Sequence, residues 1–129
     1  VKNRVQLLGW RNDRAALFQA SDICVFSSRY EPFGTVFVQS WAQKTPLVTT
    51  CSDGPRQFVN HEQDGLVVEI DNIEQMKSAI LRIQNNSDLA QNMVERGYER
   101  YIHEFTKEQC LENYLGFYRE IRNRENIAD

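Results

Sequence analysis

Short apolar runs alternate with segments of helical spacing along the first seventy residues of the chain. The apolar runs have strand length, and they occupy residues 4–8, 23–27, 47–51 and 66–70. Between them, helical patterns extend from Asp13, a candidate N-cap, through Ala20, from Gly34 to Gln43, and from about Pro55 to His61. Continuously apolar strands are typical of parallel sheets, which are buried on both sides. The pattern therefore predicts an α/β protein with a Rossmann-like parallel sheet and helices on both faces.

The remainder of the chain is predicted to be helical. Asn72 with Gln75 forms a capping-box pattern that begins a helix to about Gln84, and another helix begins at Ser87. A second capping-box pattern, Thr106 with Gln109, begins the last helix. Its apolar side chains recur at helical spacing, at Leu111, Tyr114, Leu115, Tyr118 and Ile121.

The composition narrows the class of protein. A length of 129 residues fits one domain, and 41% hydrophobic with 26% charged residues is typical of a folded globular protein. The net charge of -3 arises from basic residues scattered among acidic ones, so nothing indicates a nucleic-acid partner. The sequence shows no apolar run long enough to cross a membrane, and no signal peptide or lipidation motif. Three widely spaced cysteines are predicted to be free thiols in a reducing cytoplasm, and two separate histidines to be surface residues.

The chemistry concentrates after the second apolar run. Ligands of parallel sheets bind outside the carboxyl ends of the strands. There, a turn carries Glu31, and Gly34 precedes a helix whose first free amides, those of Gly34, Thr35 and Val36, suit a diphosphate. Gln39 lies one turn further, and its side chain leans back toward the same place. Glu31 can accept hydrogen bonds from hydroxyl groups. On these residues alone, a nucleotide or phosphate site and an ordinary solvated turn are equally open.

The same segment resembles a known family. Residues 31–39 resemble the Glu-x7-Glu signature of family 4 glycosyltransferases, which contains Glu-x-Phe-Gly. Further matching pieces follow the order of the family, at residues 5–9, 20–28, 45–48, 64–68 and 105–108. Residues 29–35 most resemble bacterial lipopolysaccharide-core glycosyltransferases. The resemblance covers nearly the whole chain, and the joint pattern is specific.

The resemblance implies a GT-B fold, in which two Rossmann-like domains face each other across a cleft. This chain would be most of the carboxyl-terminal, nucleotide-sugar-binding domain, a fragment that lacks the amino-terminal acceptor domain and the first strands of its own domain.

Glu31 would be the catalytic candidate that contacts hydroxyls of the transferred sugar. The implied donor-binding residues are Arg11 near the base, Phe33 and Gly34 at the sugar, Thr35 and Val36 at the diphosphate, Gln39 at the ribose, and Gly54 in a nearby turn. Arg11, Arg29 and Arg56 are local candidates for part of the diphosphate contact, although each is more often a surface arginine. Trp41 is predicted to pack, and Trp10 to be a buried or edge aromatic rather than a residue that stacks on a base.

The implied reaction is the transfer of a hexose, with retention, from a nucleotide diphosphate sugar to a saccharide or lipid-linked acceptor. The implied setting is cell-envelope polysaccharide or lipopolysaccharide synthesis, in the cytoplasm or at the inner face of its membrane. No cofactor and no metal ion is expected, because helix amides and basic side chains would neutralise the departing diphosphate. The acceptor would bind the absent domain, so the fragment alone is expected to be inactive.

Position 39 departs from the family pattern, since it is Gln where the signature has Glu. A neutral hydrogen bond is weaker than a charged one, and we estimate a loss of about 1 kcal/mol, or roughly tenfold in donor affinity. This departure supports one alternative, a non-catalytic nucleotide-sugar-binding domain. A second alternative is a GT-B sugar-nucleotide epimerase, for which the required carboxylates and histidines cannot be assembled here. A phosphorylase would need a lysine for pyridoxal phosphate, and no such signature is seen.

Overall fold

The computed structural model describes residues 2–125. Three short parallel strands alternate with helices, and the carboxyl-terminal half is helical. The elements are α1 (Arg14–Gln19), β1 (Cys24–Phe26), α2 (Thr35–Ala42), β2 (Leu47–Thr50), α3 (Asp53–Phe58), β3 (Leu66–Val68), α4 (Ile73–Asn85), α5 (Ser87–Arg100) and α6 (Lys107–Glu125). A single 3₁₀ turn, Lys2–Arg4, precedes them, and a π-helical turn, Tyr101–Phe105, joins α5 to α6.

The sheet has the order β1-β2-β3, and both pairings are parallel. Its central strand shows why the sequence run is continuously apolar. Leu47 packs into a cluster with Phe37 and Trp41 of α2, whereas Val48 points to the opposite face and packs with residues of α4 and α5. All of β2 is buried because helices cover the sheet on both sides. The predicted fold class is therefore confirmed.

The predicted strand over residues 4–8 is wrong. Residues 5–9 form no strand, and Val5 and Leu7 are exposed. A strand forms only where a neighbouring backbone pairs with it. None of the strands within residues 2–125 pairs with this segment, so its β-propensity is not sufficient.

The predicted helix starts are confirmed where a side chain caps them. Asn72 accepts a hydrogen bond from the Gln75 amide at 3.0 Å, and Thr106 accepts one from the Gln109 amide at 3.2 Å. Asp13 behaves differently, because its carboxylate pairs with Arg11 and makes no capping hydrogen bond to α1. A charged neighbour two residues away has displaced the cap.

Side chains also occupy the outer edge of β3. The Val67 amide donates to Nδ1 of His61 at 3.0 Å, and the Glu69 amide donates to Oε1 of Gln75 at 2.8 Å. His61 is exposed, as predicted, and the described residues contain no group of side chains suited to a metal ion. Across residues 2–125, every helix is too short or too polar to cross a membrane.

Candidate functional site

The loop between β1 and α2 carries most of the predicted site residues, and neighbouring elements hold it at its backbone. The Thr50 hydroxyl, at the end of β2, donates to the Ser28 carbonyl. The Gly54 amide, in the first turn of α3, donates to the Glu31 carbonyl at 2.8 Å. The loop is therefore tied to the end of β2 and to the first turn of α3.

Gly54 touches this loop more closely than any other residue type could. A Cβ atom built on Gly54 would lie 1.9 Å from the carbonyl oxygen of Phe33. Such a distance is far inside van der Waals contact, so only glycine allows the turn to pack directly on the loop. Gly54 was predicted as a donor-site residue, and the structure places it behind the loop, where it supports Glu31 and Phe33.

Gly34 is required for two separate reasons. Its φ of 91° lies in the left-handed region, where side chains are strained. A Cβ atom there would also meet the Phe26 ring at 2.9 Å and Cγ of Glu31 at 3.1 Å. The half-buried Glu31 side chain thus lies directly against the residue that begins α2.

The start of α2 has free amides. Within residues 2–125, neither the Thr35 nor the Val36 amide donates to a backbone carbonyl, and Gly34 has no side chain to cap them. The longer helices α4, α5 and α6 differ, because the side chains of Asn72, Asn86 and Thr106 each cap one amide. The first turn of α2 therefore presents unpaired donors and the positive end of a helix dipole.

Gln39 lies one turn into α2, on the side of Thr35 and Val36, since residues three and four apart are neighbours on a helix. It lines a groove of about 350 Å³ between α1 and α2, together with Asn12 and Arg14. The described residues provide no hydrogen-bond partner for the Gln39 amide group. The structure thus brings Glu31, Gly34, Thr35 and Val36 together at the helix start, and it places Gln39 along the next turn.

The Phe33 side chain packs among other aromatic rings. Its ring packs at 5.4 Å from that of Phe37 and at 5.1 Å from that of Phe58, measured between centroids. Phe105 of the π-helical turn joins the same cluster. The Phe33 ring thus takes part in aromatic packing, although Phe33 remains 38% exposed.

The three candidate arginines all have acidic partners. Arg11 Nε lies 2.7 Å from Asp13 Oδ1, Arg29 Nε lies 2.6 Å from Asp71 Oδ1, and Arg56 Nη2 lies 2.9 Å from Asp53 Oδ1. The hydrogen bonds of the first pair raise the pKa of Arg11 and lower that of Asp13. Arg11 lies on the exposed segment before α1. Trp10, on the same segment, is 91% exposed rather than buried or at an edge.

A polar network that the sequence did not suggest stabilises the back of α2. Trp41 is buried, as predicted, and its indole nitrogen donates to the Asp64 carbonyl at 2.7 Å. Arg100 binds the Asp64 carboxylate at 2.8 Å and lies over the Trp41 ring. Burial raises the pKa of the Asp64 carboxyl, and the hydrogen bond from Arg100 opposes that shift. Only the Asp64-Gly65 turn was visible in the sequence, because these partners are distant along the chain.

Ser52, immediately before α3, also lay outside the sequence prediction. Its hydroxyl is the single buried side-chain oxygen or nitrogen within residues 2–125 that has no hydrogen-bond partner. Ser52 occupies the N-cap position of α3 without making the capping bond. No sequence signal distinguishes it from an ordinary helix cap.

A parallel α/β sheet with an uncapped, glycine-led helix at its carboxyl edge defines a class of domain that receives anionic ligands there. The family model described as glycosyl transferases group 1 matches residues 1–100. The chain belongs to this glycosyltransferase family.

Individual relatives agree with this assignment. The lipopolysaccharide core biosynthesis glycosyltransferase LpsE of Rhizobium meliloti (strain 1021) is 38% identical over 89% of this chain and 34% of its own length. A sucrose-phosphate synthase from Thermosynechococcus elongatus is 28% identical, with a TM-score of 0.86 over 95% of this chain and 31% of its own. A TarM variant from S. aureus, solved in complex with UDP among other ligands, is 27% identical, with a TM-score of 0.80 over 89% of this chain and 24% of its own. The chain thus spans about a third or less of the length of each relative. These likenesses confirm the predicted GT-B type of domain.

Proposed function

We propose that this chain is the donor-binding domain of a retaining glycosyltransferase and that the start of α2 holds the diphosphate of a nucleotide sugar. The observation that carries the proposal is the left-handed Gly34 with the unpaired Thr35 and Val36 amides behind it and Glu31 against it. Amides at a helix start stabilise negative charge, and more of that charge develops on the diphosphate as the sugar leaves.

We assign the remaining roles from the family resemblance. Glu31 and the Phe33 backbone face the transferred sugar, whereas Gln39, one turn further along α2, takes the ribose. Arg11 lies on the segment proposed to approach the base, and it must leave Asp13 to do so. Gly54 acts indirectly, because it fixes the position of the loop that carries Glu31. No metal ion or other cofactor is needed for this chemistry.

The similarity to LpsE supports a role in cell-envelope polysaccharide or lipopolysaccharide synthesis. We propose that the complete protein transfers a hexose to a saccharide or lipid-linked acceptor, with the acceptor held by a further domain. We also propose that the protein acts in the cytoplasm, either free or at the inner face of the cytoplasmic membrane. The present chain alone is expected to transfer no sugar.

Calorimetric titration with UDP, GDP and ADP tests the proposal. One of them should bind, and replacing Glu31 with Gln should weaken binding of the corresponding nucleotide sugar more than binding of the diphosphate itself. Activity of the complete protein, with the anomeric configuration of the product determined, should show transfer with retention. Failure of all three nucleotides to bind, or inversion of the configuration, would contradict the proposal.

The departure at Gln39 favours a second candidate, a domain that binds a nucleotide sugar without catalysing transfer. The same measurements separate the two, because a binding domain would bind the nucleotide sugar while the complete protein would release no nucleoside diphosphate from it.

A further inference from the structure

One ion pair crosses the carboxyl edge of the sheet. Arg29 follows β1, Asp71 follows β3, and Nε of Arg29 donates to Oδ1 of Asp71 at 2.6 Å. The pair therefore spans the end of β2, the strand between them. Both side chains are largely exposed, at 79% and 62%.

Arg29 has a distinct place among the supports of the Glu31 loop. Within the part of the chain that the structure describes, the other supports of residues 27–33 act on backbone atoms or on the Phe33 ring. Arg29 is the one residue of this loop whose side chain makes a hydrogen bond to another element. It lies two residues before Glu31, on the same loop.

Asp71 is a fixed anchor for this contact. Its φ of 62° lies in the left-handed region, which Asp tolerates better than most residues. The next residue, Asn72, caps α4 and donates its own amide to the Glu69 carbonyl at 3.3 Å. The turn between β3 and α4 is thus held on both sides of Asp71, and the nearby start of α4 favours the negative charge.

We infer that Arg29 is a positioning residue for Glu31 and that it acts through Asp71 rather than by contact with the diphosphate. This inference rests on the function proposed above. The ion pair ties the Glu31 loop to the turn after β3, while the backbone contacts tie it to β2 and α3. An exposed ion pair contributes little stability, so its loss reorients the loop without unfolding the protein.

The test uses the complete protein and the variants Arg29→Gln and Asp71→Asn, alone and combined. Asn keeps the tolerance for the left-handed conformation and removes the charge. Each single change should lower kcat/KM for the nucleotide sugar by about two- to fivefold, the range expected for one exposed ion pair. The double variant should lose no more than either single one, and Arg29→Lys should retain part of the activity. The Kd of the nucleoside diphosphate should stay unchanged throughout.

Arg82→Gln is the matched control. Arg82 forms an equally short but less exposed pair with Glu62, at 2.6 Å, and neither residue belongs to the Glu31 loop. Its kcat/KM should equal that of the wild type, and circular dichroism should show that all variants are folded.

The outcomes separate this inference from the proposed function. Weaker nucleoside diphosphate binding in Arg29→Gln but not in Asp71→Asn would overturn it, since Arg29 would then contact the diphosphate itself. Independent, multiplicative losses in the double variant, or no loss in Asp71→Asn, would overturn it as well. In both cases the proposed function would stand. A wild-type protein that binds no nucleoside diphosphate would instead remove the proposed function and this inference together.

Discussion

Two glycines in helices should respond in opposite ways to the same substitution. Gly97 lies in α5, and a Cβ atom there would be 2.4 Å from Cδ1 of Trp41 and 2.9 Å from its Nε1. Gly116 lies in α6, where a Cβ atom would meet nothing within 4 Å. Neither has a positive φ, so Ala is compatible with the backbone at both positions.

The Trp41 ring has little room to move away from a new methyl group. Trp41 is 2% exposed, and its indole nitrogen donates a hydrogen bond to the Asp64 carbonyl. The centroids of the Phe37 and Phe105 rings lie 4.9 and 5.8 Å from that of Trp41. Arg100 covers the ring at 5.0 Å. Forcing extra volume into a packed core costs about 1–3 kcal/mol, occasionally more.

Helix propensity acts in the other direction, by about 1 kcal/mol in favour of Ala. For Gly97→Ala, we therefore expect a net loss of up to about 2 kcal/mol in the free energy of unfolding. For Gly116→Ala, the propensity term stands alone, and a gain of about 0.5–1 kcal/mol is expected.

Urea denaturation followed by far-ultraviolet circular dichroism measures both changes from the shift in transition midpoint at constant slope. The reasoning is refuted if Gly97→Ala is as stable as Gly116→Ala, because Trp41 would then have space that the structure does not show.

Two further predictions concern the site loop and the network behind it. Gly54→Ala should lower kcat/KM for the nucleotide sugar at least about tenfold, because the new methyl group displaces the loop backbone; unchanged activity, with Gly116→Ala as control, would contradict this. Hydrogen bonds from Arg100 lower the pKa of Glu104 in the folded protein. Glu104 therefore stabilises the fold at pH values above the pKa that it has in the unfolded chain. This stabilisation is lost as the pH falls through the pKa of the folded state. Glu104→Gln should therefore destabilise the chain at pH 7 but not at pH 3, and equal destabilisation at both pH values would argue against the ion pair.

Sequence was most informative where the determining contacts are local. The capping patterns at Asn72 and Thr106 predicted the starts of α4 and α6, because each cap involves residues only three apart. Gly34 was predicted at the helix start for the same reason, since a turn before a helix needs its left-handed conformation. Because β2 is buried on both faces, its residues are continuously apolar, and this pattern predicted a strand of a parallel sheet.

The predictions failed where distant or competing partners decide the outcome. Residues 5–9 have strand-like side chains but no paired neighbour among the described strands. Asp13 has the chemistry of a helix cap, yet Arg11 occupies its carboxylate. The contact of Gly54 with Phe33 joins positions that only the folded sheet brings together, so nothing in the local sequence revealed how close it is.

Gln39 shows why a departure from the family pattern need not remove function. A carboxylate one turn into α2 would offer charged hydrogen bonds to ribose hydroxyls, and it would also repel a diphosphate held at the helix start. The neutral amide loses about 1 kcal/mol of hydrogen bonding. However, no negative charge at position 39 then opposes the partial positive charge of the first turn of α2. Since the departing diphosphate gains charge during transfer and the ribose does not, the second effect acts on the reaction while the first acts mainly on binding. Under the proposed function, we therefore expect Gln at position 39 to weaken the donor complex more than it weakens catalysis.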